Sequence, residues 1–190
     1  MRYAPVNTGI TCRINSAKAI IVLLVVLSFR SSAQPSREYN IKAVFLYNFT
    51  QFIEWPSNAF DKATTPFIIG ILGEDPFLSA IDDAVAGEKV NGRSILVQRY
   101  KDVKEIKSCH ILYISPKEAL RVREILKGLS GKNVLTVSDI PNFARSGGMI
   151  HFLNQNNKIR LQINSGAAKA ADLNISSKLL RVAEIIDKAK

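Results

Sequence analysis

The sequence predicts an α/β fold: a three-layer sandwich whose mostly parallel sheet ends in a C-terminal antiparallel hairpin, with helices on both faces. Three observations predict it. The apolar runs at residues 67–73 and 109–115 read as strands buried on both sides, which belong to parallel sheets. They alternate with helical patterns, the order of βαβ units. After Asp139 that alternation stops, and two strands follow one another directly across Gln155-Asn156-Asn157, the signature of a hairpin.

Each element has its own signal. Residues 36–55 read as an amphipathic helix, with Ser36 as N-cap and Glu38 in the first turn, where the helix dipole favours an acid. Ile41, Phe45, Phe49 and Phe52 recur on one face of that helix, and Pro56 stops it at Trp55. After the strand at 67–73, Pro76 opens a helix with Asp75 as its cap, ending at Gly87. Residues 94–100 form the next strand, and 101–107 a short helix or turn. The strand at 109–115 leads to a helix starting at Pro116, with Leu120, Ile125 and Leu126 turned inward and Gly128 and Gly131 ending it. Residues 133–138 give the fourth strand, and 149–154 and 158–164 give the hairpin. A closing helix over 165–188, interrupted near 172–174, carries Ile175, Leu179, Val182 and Ile186 as its stripe.

The first 33 residues stand apart. Arg13 and Lys18 precede an unbroken apolar run over 19–27, and small residues follow at Ser31 and Ala33. This is a basic region, an apolar core and a small-x-small cleavage pattern, and it reads as a signal peptide cut near Ala33. The run falls short of the roughly 20 apolar residues that span a bilayer. Residues 34–190 then form a single exported domain, of a size that needs no covalent staple. Export removes cytoplasmic DNA, ATP and NAD as partners. The exported part carries 22 basic and 16 acidic residues. The nearest thing to a basic cluster is Lys101, Lys104 and Lys107, with Asp102 and Glu105 between them, which reads as a solvated face. Nucleic-acid binding needs a basic stripe with stacking aromatics, and the sequence has none.

The chemistry-bearing residues are few. Cys12 leaves with the signal peptide, so Cys109 stands alone in a buried strand and forms no internal disulfide. Cys109 and His110 are adjacent in a strand and point to opposite faces. His110 and His151 lie far apart, without the ligand spacing of a zinc site. Gly128-Leu129-Ser130-Gly131-Lys132 follows a helix rather than a strand and lacks phosphate-loop context. The sequence therefore gives no catalytic residue, no metal site and no cofactor, and a binding module is expected rather than an enzyme.

Residues 138–150 are the least ordinary stretch, with Asp139 closing a strand, Pro141 opening a turn, Phe143 as its only large aromatic and Gly147-Gly148 turning into the next strand. Ligands in open α/β sheets sit at the carboxyl ends of strands. A small pocket of Asp139, Phe143, Arg145 and Arg160 is one reading, with Arg160 facing an anionic group; a plain connecting turn is the other.

Ordered blocks across the exported chain resemble the YfiR-like family of periplasmic regulatory proteins. They include Lys42-Ala43-Val44-Phe45-Leu46-Tyr47-Asn48-Phe49 leading to Phe52-Ile53-Glu54-Trp55-Pro56, and Gly70-Ile71-Leu72-Gly73. They continue with Cys109-His110-Ile111-Leu112-Tyr113-Ile114-Ser115, Val134-Leu135-Thr136-Val137-Ser138-Asp139, Gly147-Gly148-Met149-Ile150 and Ile175-Ser176-Ser177-Lys178-Leu179-Leu180. The resemblance implies a periplasmic regulator that binds an inner-membrane signalling protein. In the family's pattern that partner is a diguanylate cyclase held repressed, with an outer-membrane lipoprotein relieving the repression, and members are often dimeric. Paired cysteines known in the family are missing, so disulfide control is not implied. Tyr47 and Trp55 are the candidate partner contacts, since exposed aromatics carry interface energy. A receptor for a small ligand is the alternative.

Overall fold

The computed structural model describes residues 36–62 and 64–186. The predicted signal peptide lies outside the described residues. Helix α1 (Arg37–Phe52) starts at the expected cap, the Ser36 hydroxyl accepting from Tyr39 N–H at 3.4 Å. It stops three residues before Trp55, because Ile53–Glu54 leave the helix as a short strand, β1. The central strands are β2 (Phe67–Leu72), β4 (Arg93–Tyr100), β5 (Ile111–Ile114) and β6 (Leu135–Ser138), all mutually parallel. β7 (Ile150–Gln155) joins β6 in parallel and turns back into β8 (Lys158–Ile163). The hairpin turn is Asn156-Asn157, both at positive φ, as a two-residue turn of the primed type requires. Short strands β3 (Lys89–Val90) and β10 (Glu184–Ile185) close the edges, giving the order β10-β8-β7-β6-β5-β2-β4-β3. The expected α/β architecture, mostly parallel with a terminal hairpin, is the one formed.

Two apolar layers flank this sheet. Ile69, Ile71, Tyr113, Leu135 and Val137 pack with Ala43, Leu46 and Phe49 of α1 and with Ile81 of α2 (Ala80–Val85). The alternate residues Leu72, Leu112 and Ile114 pack with Val122 and Ile125 of α3 (Val122–Gly128), and with Phe143. One strand thus feeds two cores, which is why these runs are apolar without interruption.

Several expected helices are shorter than their sequence signals. The Asp75 carboxylate accepts from Phe77 N–H at 2.7 Å, and Leu78 takes a φ of 53°, so Pro76 opens a turn and α2 begins only at Ala80. The segment Pro116–Arg121 is a 3-10 helix. Three residues per turn rotate Leu120 off the inward line, and it is fully exposed rather than buried. The closing helix is broken into α4 (Ser165–Ala170), β9 (Asn174–Ile175), α5 (Ser177–Leu180) and β10. The break is a left-handed cap at Asp172, φ 55°, with Leu173 N–H on Ala168 O and Asp172 N–H on Lys169 O, each at 3.0 Å. β9 then pairs with β1, and Val182 is left exposed instead of joining a stripe.

Phe143 is fully buried, and its ring lies against Gly148 so closely that a Cβ there would sit 2.2 Å from Phe143 Cε1. Gly148→Ala is expected to destabilise the protein by about 1–3 kcal/mol through overpacking. Adding Phe143→Leu should recover part of that loss, as urea unfolding of the single and double variants will measure.

Candidate functional site

A charged cluster sits where α1 crosses the carboxyl end of β6. Ser138 fixes the strand end, its hydroxyl donating to Ile114 O at 2.7 Å and accepting from Ile140 N–H at 3.0 Å. The next residue, Asp139, turns toward α1. Its Oδ2 lies 2.6 Å from Lys42 Nζ and accepts from Tyr39 Oη at 2.9 Å, while Oδ1 accepts from Tyr113 Oη at 2.6 Å. Lys42 is 1% exposed, and its ammonium also reaches Glu38 Oε1 at 2.5 Å and lies over the Tyr39 ring. Lys42 thus occupies the space between two carboxylates. Burial, with the Asp139 charge adding to it, pushes the Tyr39 phenol up to about 12 and raises that of Tyr113 further. Both tyrosines therefore stay protonated donors.

The predicted site residues are not brought together. Asp139 faces α1, whereas Phe143 plugs the core on the opposite side of the sheet. Arg145 is exposed on the turn beyond Phe143. Arg160, exposed on β8, lines a shallow groove with Leu153, Leu161, Val182 and Glu184. Tyr47 is half-buried and donates to Glu88 Oε2 at 2.7 Å. Trp55 is half-buried too: Nε1–H donates to His110 O at 3.2 Å, and the ring meets Phe67 edge-on at 4.9 Å. Beside it, a small concavity is lined by Ile53, Glu54, Trp55, Phe60, Phe67 and Arg93.

The stripe expected on α1 is rotated. Its buried residues are Lys42, Ala43, Leu46, Phe49 and Thr50, because the Lys42–Asp139 contact sets which side faces the sheet. Ile41 and Val44 consequently face solvent, 41% and 50% exposed. With Arg37, Asn40, Phe45 and Asn48 they form an open, almost wholly apolar depression. The sequence reading missed Lys42. The available signal was a lysine one turn from Glu38, falling in register with Leu46 and Phe49.

Cys109 and His110 do point to opposite faces. Cys109 is buried beside Leu112, and burial pushes its thiol up to about 12. His110 stacks on Phe60 and Phe67; its Nδ1 accepts from Ile68 N–H at 2.9 Å and its Nε2 lies 3.1 Å from Ala59 O. His151 contacts Gln162 Oε1 at 3.0 Å. Among the described residues no group of three or more His, Cys, Asp and Glu is placed to hold a metal ion, and no helix is long and apolar enough to cross a membrane.

A family model described as YfiR/HmsC-like matches residues 39–184, from Tyr39 of the charged cluster to the edge strand β10. The chain belongs to the YfiR/HmsC-like family. No curated protein matches it. YfiR/HmsC-like proteins are periplasmic regulators connected with diguanylate cyclase signalling, so membership places this chain in a regulatory class. The matched span contains α1 with its outer apolar depression, the Lys42–Asp139 contact and the loop around Phe143.

Asp139→Ala would leave Lys42 buried with only Glu38, and is expected to cost about 3 kcal/mol. Lys42→Met with Asp139→Leu, which removes both charges, should recover most of it in urea unfolding. A second expectation concerns pH. Burial lowers the His110 pKa from 6.5, and Nδ1 cannot take a proton without losing the Ile68 N–H bond. The unfolded chain then binds the proton first, so stability falls as pH drops below about 6.5 toward the lower folded value. His110→Gln should reduce that slope by up to one proton in unfolding measured across the pH series.

Proposed function

We propose that this protein is a periplasmic regulator, exported by a cleaved signal peptide, that binds and modulates an inner-membrane signalling protein. By family resemblance the partner is a diguanylate cyclase held repressed, with an outer-membrane lipoprotein as the opposing ligand. The observation that carries this reading is the outer face of α1. Ile41 and Val44 stand one turn apart in solvent beside Phe45, while the inner face is pinned by Lys42. A helix held rigidly from within and apolar without is what a helix-borne interface needs. Tyr47 lies on the same helix, one turn beyond Val44, and is the nearer of the two aromatic contact candidates; a second copy of the chain is another occupant of the face. A small-ligand receptor is the second reading, favoured by the concavity beneath Trp55, Phe60 and Phe67.

Ile41→Asp with Val44→Asp changes only exposed positions, so folding should be preserved. Pull-down from solubilised membranes should recover a cyclase with the parent protein, and at least tenfold less with the variant, since losing two buried aliphatic contacts is worth on the order of a few kcal/mol. Equal recovery by parent and variant removes the α1 face from the interface. A melting temperature raised by a small ligand, with no membrane protein captured, would favour the second reading.

A further inference from the structure

The opposite side of the molecule carries a second surface. Residues 101–132 hold eight basic and four acidic side chains. The 3-10 turn Val103–Glu105 and α3 lie over the core built on Val103, Ile106, Val122 and Ile125, and the 3-10 segment Pro116–Arg121 leads directly into α3 and is tied to that turn by the Arg121–Asp102 ion pair. Three of the four acids are gathered on one cation, and the fourth, Glu105, accepts from the Lys101 backbone N–H at 3.0 Å. Arg121 lies within 2.9 Å of Asp102, 3.4 Å of Glu118 and 3.6 Å of Glu124. Among the described residues, Lys101, Lys104, Lys107, Arg123, Lys127 and Lys132 have no carboxylate within ion-pair distance, and all six are exposed. Leu120, fully exposed, lies between Lys117 and Arg123 where the chain enters α3.

We propose that this face docks on a bilayer surface rich in anionic phospholipid headgroups, with the cations held by lipid phosphates and Leu120 inserted at the headgroup boundary. Charge complementarity selects the partner. An unpaired cationic field repels a second copy of itself, and adjoining a lone protruding aliphatic residue it has the composition of a peripheral membrane-binding surface. Six unpaired cations lie within the range that retains proteins at anionic membranes. The arrangement holds a regulator close to a membrane-embedded partner while leaving α1, which packs on the other face of the sheet, free to engage it. The proposal rests on the exported-regulator reading only for which membrane is met. Vesicle binding is a property of the purified protein, so the two readings can fail separately.

The test is cosedimentation of the purified protein with vesicles of phosphatidylcholine alone and of phosphatidylcholine mixed with phosphatidylglycerol. The protein should pellet with the mixed vesicles only, and should be released in about 1 M salt, where the Debye length is near 3 Å. Leu120→Asp should weaken binding about tenfold with the melting temperature unchanged, because the leucine is unpacked in the fold. Arg123→Glu with Lys127→Glu should abolish it. Equal pelleting with both vesicle types, pelleting with neither, or unaltered binding by these variants would overturn the proposal. Retention on an immobilised polyanion without vesicle binding would assign the face to an acidic macromolecule and overturn it equally.

Discussion

The Lys42–Asp139 contact is the constraint on which the arrangement of this molecule depends. A buried ammonium is tolerated only where carboxylates and hydroxyls meet it, and here Asp139, Glu38 and the Tyr39 ring do so. The contact joins residues 97 apart in sequence and fixes the rotation of α1 about its own axis. That rotation decides which side chains enter the core and which are left in solvent. Ile41 and Val44 are outside because Lys42 is inside.

The two faces of the sheet then divide the work. One is covered by α1 and α2, with the apolar depression on its outer side. The other is covered by α3, its neighbouring 3-10 segments and the Phe143 plug, and it carries the unpaired cations. The carboxyl edge of β2, where α/β sheets often take ligands, is filled from within. Gly73 turns there at a φ of 88°, and a Cβ would lie 2.8 Å from Glu118 Oε1. At this edge the crevice is occupied by the protein's own Glu118 side chain.

Much of the architecture was legible in the sequence. Doubly buried strands leave unbroken apolar runs, and paired asparagines announce their turn, so the sheet and hairpin could be read residue by residue. The helices could not, because local geometry overrode their periodicity. Leu78 and Asp172 take left-handed backbone, and the 3-10 segment at Pro116 changes the angular step between residues. The candidate site was legible only in its parts. Asp139 drew notice as a strand-terminal acid, but its partners Lys42, Tyr39 and Tyr113 come from distant segments. Nothing local announces a tertiary ion pair, and a lysine in an apolar stripe is easily read as an interruption. Phe143, expected either in a small pocket or as the plug of a connecting turn, is buried in the core, and the side of the sheet it enters depends on Gly148 making room.

The two-stranded ribbon between β1 and β9 joins Ile53 to Ile175, so the end of the first helix is secured by a segment 122 residues further along the chain. Until that segment pairs, α1 lacks its C-terminal anchor. Pairing across so long a stretch of chain must first close a large loop, so this anchor is slow to form and, once formed, ties the two ends of the fold together.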